Sequence, residues 1–400
     1  MRKAVQALLL MLAFSIPWEY ALDLGDRMGN VARGVELLLL AVGLPTLLYE
    51  RHVRAPGRVL GAVLALYLWF CMSYYWSLDP ATTFTKMRAY LQEMLLVWIV
   101  WEFTSSAAQM RNLLRAYVAG SWVLAVLNIV ALLTTDDAAQ SRFVASGQDP
   151  NDVARFLDMA IPLAALLLGC ERNRFWRLIA AGYLFYGPLG VLLTASRGGF
   201  VAGIFALAGA GLVLLHAHKR WFLAVAMLLP LLAGLLWSVV PGQNYARLAT
   251  IGEQLRTGDL NQRINIWIAG WHAFERSPLL GWGAGCFVAA TGTNPHDTAH
   301  NTALSLAVHG GLVALMLALV LLVLLGREVL RMRGALRLAL ASALAVWLTT
   351  ALVAGVEESR STWFFFGMIA LGARLAVELP LQLDAEFSAP SVQEHVHALA

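Results

Sequence analysis

The chain has 400 residues, 59% of them hydrophobic and only 14% charged, with a formal net charge of +4. Mean hydropathy is +0.66. Soluble domains carry roughly 25% charged residues, so the composition excludes a water-soluble globular enzyme and predicts an integral membrane protein.

Apolar runs long enough to cross about 30 Å of hydrocarbon as helix recur along the whole sequence. The short alternating segments of a membrane β-barrel do not appear. Ala4 to Trp18 follows Arg2 and Lys3 as a signal peptide would, but no small-residue cleavage site precedes Glu19, so this run is read as the first span. The pattern predicts an all-α polytopic protein with about twelve transmembrane helices, near 4–18, 31–49, 59–77, 88–103, 112–134, 153–170, 178–194, 200–216, 221–240, 301–326, 335–355 and 362–378.

Alternate loops sort by charge. One set holds Arg51, Arg54 and Arg58, then Arg111 and Arg115, then Arg172, Arg174 and Arg177, then Lys219 and Arg220, then Arg327, Arg331, Arg333 and Arg337. The other set holds Asp79, Asp149, Asp152, Glu253, Asp259, Asp297, Glu357 and Glu358 among its acids. The positive-inside rule makes the first set cytoplasmic, together with both termini, and turns the second outward. The chain then divides into spans one to nine (1–240), an outward loop or lid (241–300), spans ten to twelve (301–378) and a loosely ordered cytoplasmic tail (379–400).

The cytoplasmic loops are too short to form a nucleotide-binding domain, and no Gly-x-x-x-x-Gly-Lys occurs. No nucleic-acid-binding pattern is present either. Cys71, Cys170 and Cys286 imply neither a disulfide framework nor a metal cluster. The larger loops, 78–88, 134–153 and 241–300, all face outward, so chemistry is expected there without ATP.

Taken in order, Lys86 and Arg88 form an outward basic pair, either interfacial anchors or anion ligands. Asp149-Pro-Asn151-Asp152 is a turn that either caps the sixth span or binds a sugar hydroxyl. Arg197 lies in the short outward turn Thr194-Ala-Ser-Arg-Gly-Gly199. It either snorkels to headgroups or holds phosphate with its planar fork. Gln262 to Arg276 reads as an amphipathic helix, with Ile264, Trp267, Ile268, Trp271 and Phe274 at helical spacing, and Arg263 opens it. Its aromatic face suits the membrane surface or a lid. His300 starts the tenth span beside Asn301 and is suited to proton transfer near neutral pH. His296 and His300 are spaced for one metal, but a third ligand is missing, and no metal is expected. Glu357 and Glu358 form either a solvated pair beside Arg360 or a carboxylate that orients a base.

These elements resemble the bacterial O-antigen ligase and polymerase superfamily: Asp149-Pro-Asn151, Ser196-Arg197-Gly198, Arg263-x-x-x-Trp267, Ser277-Pro-Leu-Leu-Gly-Trp-Gly283, His300-Asn301 and Gly310-Gly311, in this order. The resemblance implies an inner-membrane glycosyltransferase of GT-C-like architecture with a periplasmic site. It implies transfer of O-antigen from undecaprenyl diphosphate, with inversion, to a sugar hydroxyl of lipid A–core, without metal, cofactor or nucleotide. Arg197, Arg263 and His300 match functional positions of the family, and Glu357 or Glu358 its late acidic residue. Lys86 and Arg88 would assist in holding the diphosphate, and Asn151 and Asn301 the substrate. Chain length leans toward a ligase, with O-antigen polymerase and protein O-oligosaccharyltransferase as alternatives inside the superfamily and a flippase of lipid-linked glycans outside it.

Overall fold

The computed structural model describes residues 1–22, 25, 29–51, 53–135, 140–145, 147–217, 219–256, 263–294 and 297–388. They form helices and turns, with no strand. The first nine helices are α1 (Arg2–Ser15), α2 (Val31–Glu50), α3 (Arg58–Met72), α4 (Pro80–Phe103), α5 (Ala107–Thr134), α6 (Pro150–Cys170), α7 (Arg174–Thr194), α8 (Arg197–Ala217) and α9 (Lys219–Val239). Four short ones follow: α10 (Gly242–Ala249), α11 (Ile251–Arg256), α12 (Arg263–Arg276) and α13 (Phe287–Thr291). The chain closes with α14 (Thr302–Arg331), α15 (Gly334–Ala351), α16 (Arg360–Glu378) and α17 (Pro380–Phe387).

Among the described residues nine helices are long and apolar enough to cross a membrane: α1 with its 3-10 continuation to Ala21, α2, α3 with its continuation to Trp76, α5, α6, α7, α8, α14 and α15. The chain is thus a multi-pass membrane protein. The expected spans at 88–103, 221–240 and 362–378 fall on α4, α9 and α16, which lie outside that set. Lys86, Arg88, Glu93 and Glu102 interrupt the apolar surface of α4, and Arg360 and Arg374 that of α16.

Helix α6 is the central pillar, buried at every residue from Val153 to Cys170. Small residues let its neighbours approach, as in other membrane helix packing. A Cβ on Gly199 of α8 would lie 2.3 Å from Ala154 Cβ, and one on Gly190 of α7 would lie 2.8 Å from Leu157 Cδ1. Ion pairs tie the ends together. Arg360 bridges Glu19 at 2.6 Å and Glu36 at 2.9 Å, joining α16 to the first two helices. At the opposite end Arg115 pairs with Glu171 at 2.6 Å.

One expectation needs correction. The stretch after Leu379 begins as a helix, not a loose tail, because Leu383 and Phe387 bury their side chains and Glu386 pairs with Arg111 at 2.9 Å. Helix α12 divides its apolar residues between a packed side and an open one. Ile266, Gly270 and Ala273 are buried, whereas Ile264, Ile268 and Trp271 stay exposed. The small Gly270 is what admits Leu304, whose Cδ2 would lie 2.8 Å from a Cβ there.

Helix α14 is broken at Gly311, where φ is 64° and ψ is −159°. The break frees backbone groups that must be satisfied in an apolar setting. Residues 277–283 do this: Trp282 N donates to Val308 O, Gly283 N to His309 O, and Leu312 N to Pro278 O, at 2.8–2.9 Å. Trp69 Nε1 takes Gly310 O at 2.9 Å. The Ser277–Gly283 and Gly310-Gly311 motifs are therefore two halves of one joint, which sets the direction of the helical turn that follows His300.

Candidate functional site

The site lies where α7 turns into α8, α15 ends and α12 begins. Ala195 takes a left-handed φ of 45° to make the first of these turns. Ser196 caps α8 by accepting from Gly199 N at 3.0 Å, and its hydroxyl donates to Asn151 Oδ1 at 2.8 Å. Asp149 caps α6 through Asn151 N at 2.7 Å and also accepts from Asn151 Nδ2 at 2.9 Å. Two turns far apart in sequence thus lock together and present Arg197.

Four arginines line one cavity of about 480 Å³: Arg142, Arg197, Arg247 and Arg263, with Asn151, Trp267, Leu352 and Val353 also in its wall. Two of them are placed by side-chain bonds to backbone carbonyls. Arg263 donates through Nη1 to Val353 O at 2.9 Å. Arg247 on α10 donates through Nε to Ala195 O at 3.3 Å. Arg142 lies beside Phe143, whose N donates to Leu193 O at 2.9 Å at the end of α7. Its Nε has no hydrogen-bond partner among the described residues.

The electrostatics are those of an anion site. Burial lowers the pKa of Arg142, Arg247 and Arg263, and neighbouring guanidiniums lower it further. Asp149 opposes this for Arg142 and Arg263. Like charges held together in a partly dry cavity favour a multiply charged anion, and guanidinium forks match phosphate oxygens.

His300 sits next to this cavity with a left-handed φ of 46°. Its Nδ1 is 3.3 Å from Thr298 Oγ1. Trp267, in the cavity wall, donates to Ala299 O at 3.0 Å. Asn301 caps α14 through Leu304 N at 2.9 Å and donates to Leu352 O at 3.1 Å. Burial lowers the His300 pKa and Arg263 lowers it further, with Asp149 and Asp297 opposing. The imidazole is therefore neutral at pH 7 and able to accept a proton.

The remaining expected residues lie apart from the arginine cavity's lining. Lys86 pairs with Glu358, and Arg88 stacks 5.4 Å above the Phe84 ring. Glu357 is buried in the wall of a second cavity of about 370 Å³. Burial, then Glu358, pushes its pKa up to about 7, partly offset by Ser305 and Thr302. His296 lies outside the described residues. Among those described, no three His, Cys, Asp or Glu side chains group as a metal site would require.

Sequence reasoning missed Arg142 and Arg247. The available signal was their sign: both are cations in stretches assigned to the acid-rich set of loops.

An all-helical, multi-pass membrane protein with a cationic cavity beside a neutral histidine is defined by these observations. Residues 181–319, about a third of the chain, match the family model described as O-antigen ligase. The match spans Arg197, Arg247, Arg263, His300 and the Gly310-Gly311 joint. No curated protein matches the chain.

Proposed function

We propose that the protein is an O-antigen ligase, which transfers a glycan from undecaprenyl diphosphate to a sugar hydroxyl of lipid A–core at the periplasmic face of the inner membrane. Glycosyl transfer of the ligase or polymerase type is what the family implies. The observation that carries the narrower reading is the meeting of Arg142, Arg197, Arg247 and Arg263 around one cavity next to His300.

In this reading the donor's diphosphate lies among the four guanidiniums. The acceptor oxygen attacks the anomeric carbon, the bond from that carbon to the diphosphate oxygen breaks, and its electron pair leaves with undecaprenyl diphosphate. The acceptor's proton passes to His300 Nε2, because Nδ1 already faces Thr298. Preorganised positive charge stabilises the departing diphosphate, a role that divalent metal fills in other enzymes. One-step displacement inverts the anomeric centre. Asn151 and Asn301 contribute by holding Arg197 and the start of α14 in place.

The test is transfer by purified protein with lipid-linked donor and lipid A–core acceptor, in excess chelator. Arg197→Ala and His300→Ala should abolish it with folding intact, and a normal rate for either variant would overturn the assignment. Lipopolysaccharide from a deletion strain separates the acceptors. Loss of every polymer band, with lipid-linked polymer accumulating, supports the ligase. A single repeat retained on the core would point to a polymerase instead.

A further inference from the structure

The turn between α15 and α16 bonds to the site at one end and to the first helices at the other. At its start three successive carbonyls hold residues of the site. Leu352 O accepts from Asn301 Nδ2 at 3.1 Å, Val353 O from Arg263 Nη1 at 2.9 Å, and Ala354 O from Thr302 Oγ1 at 2.9 Å. At its end Ser359 Oγ accepts from Arg155 Nη2 at 3.0 Å. The next residue, Arg360, pairs through Nη1 with Glu19 and through Nε with Glu36. Both carboxylates are buried, Glu19 in the 3-10 continuation of α1 and Glu36 in α2. A third acid, Glu93 of α4, is buried within electrostatic reach of Arg360, but its Oε2 has no partner among the described residues.

We infer that Arg360, Glu19 and Glu36 are positioning residues for the transfer reaction, acting through this turn on Arg263. This role rests on the reaction proposed above, in which Arg263 holds the donor's diphosphate. Arg263 bonds to a carbonyl, so its place in the cavity follows the backbone at Val353. That backbone is fixed in turn by what anchors the far end of the turn. Stability alone accounts poorly for the anchor. Desolvating charges costs about as much as pairing them returns, and exchanging a buried ion pair for apolar residues is often neutral or stabilising. What two pairs do fix is direction. A planar guanidinium that meets two acids on two helices through different nitrogens has one orientation. The turn therefore passes the position of α1 and α2, neither of which lines the arginine cavity among the described residues, to a residue that does.

The probe is geranylgeranyl diphosphate, titrated by calorimetry into the full-length protein in detergent. Arg360→Gln should raise its Kd roughly tenfold, the worth of one charge-assisted hydrogen bond. Glu36→Gln, which leaves an acceptor for Nε, should raise it less. Arg360→Lys should recover part of the loss, because the charge stays while the fork that reaches both acids goes. Two controls separate positioning from stability. Glu171→Gln weakens the buried pair with Arg115 at the opposite end of the bundle, and should lower the melting temperature without changing Kd. Glu93→Gln, at the acid whose Oε2 is unpaired, should also leave Kd unchanged. The deciding measurement is a double-mutant cycle. If Arg360 acts through Arg263, Arg360→Gln adds nothing to the loss caused by Arg263→Ala. Additive losses would overturn the inference. So would wild-type affinity in folded Arg360→Gln, or an equal loss of affinity in Glu171→Gln. If Arg360→Gln does not fold, the same cycle with Glu36→Gln decides in the same way. Binding needs no glycosyl transfer. Coupled losses in a protein whose wild type transfers no glycan would sink the proposed function and leave the link from Arg360 to Arg263 standing. Transfer with additive losses would sink this inference alone.

Discussion

Ser196 donates its hydroxyl to Asn151 across 2.8 Å while accepting from Gly199 N. One hydroxyl therefore both caps α8 and fastens the Arg197 turn to the start of α6. Ser196→Ala removes the cap and the tether. Losing an N-cap costs about 1 kcal/mol, so a modest fall in melting temperature is expected, along with weaker donor binding. Asn151→Ala keeps the α8 cap and loses the tether, together with the Asn151 Nδ2 bond to Asp149 and a polar group in the cavity wall. It should raise donor KM roughly tenfold, the worth of about one hydrogen bond, with a smaller change in melting temperature. Equal behaviour of the two variants would show that the tether has no separate role.

The four arginines make a graded prediction. Charge-assisted hydrogen bonds are worth about 1.5–3 kcal/mol, or roughly ten- to a hundredfold in binding. Arg142→Ala and Arg247→Ala should each weaken binding of a prenyl diphosphate by that order, measured by calorimetry in detergent. Arg→Lys at the same positions should recover only part of the loss, because the fork geometry goes while the charge stays. Full affinity in both alanine variants would remove Arg142 and Arg247 from the anion site.

Acid pH should silence His300 later than it would an ordinary histidine. Its pKa is lowered, first by burial and then by Arg263, so the imidazole stays unprotonated to a pH below 6.5. Replacing Arg263 with Gln removes one lowering cause and should move the titration upward. NMR of isotope-labelled histidine follows this even where turnover is lost. An unchanged titration midpoint would mean that the two side chains do not communicate.

Glu357 predicts a stability that declines with rising pH. Its folded pKa is pushed up to about 7, above the ordinary carboxylate value, so the folded state binds the proton more tightly than the unfolded state. The stability from this group is present below the unfolded pKa and is lost as pH rises toward 7. The total is on the order of 3 kcal/mol. Melting temperatures in detergent should show this slope between pH 5 and 7 (roughly the span separating the two pKa values). Glu357→Gln should flatten it.

The joint in α14 is sensitive at its glycines. A Cβ on Gly311 would lie 2.2 Å from Leu279 O, and one on Gly281 would lie 2.5 Å from Gly310 N, with both residues at positive φ. Gly311→Ala and Gly281→Ala should each cost at least about 1–3 kcal/mol from backbone strain alone, and both should abolish transfer by displacing the helical turn after His300. Gly326, with nothing within 4 Å of its Cβ position, is the control, and Gly326→Ala should leave the melting temperature unchanged or raise it.

Membrane helices were legible in the sequence because crossing hydrocarbon imposes a minimum apolar length, a constraint that is local and needs no partner. Arg197, Arg263 and His300 were legible as candidates because a charge or imidazole at the edge of an apolar run requires an explanation wherever it occurs. Their distances in sequence said nothing about their distances in space. Only the tertiary structure decided that Arg142 and Arg247 converge with them, since that depends on Phe143 pairing with the end of α7 and Arg247 reaching Ala195. It also separated Glu357 from Glu358, one buried beside an apolar groove and one paired with Lys86. Adjacent residues in a turn point different ways, and packing chooses which of them leaves water. The sequence by itself determined the helices and the inventory of charges. The fold decided which charges share a cavity, because that is set by contacts between helices remote from one another along the chain.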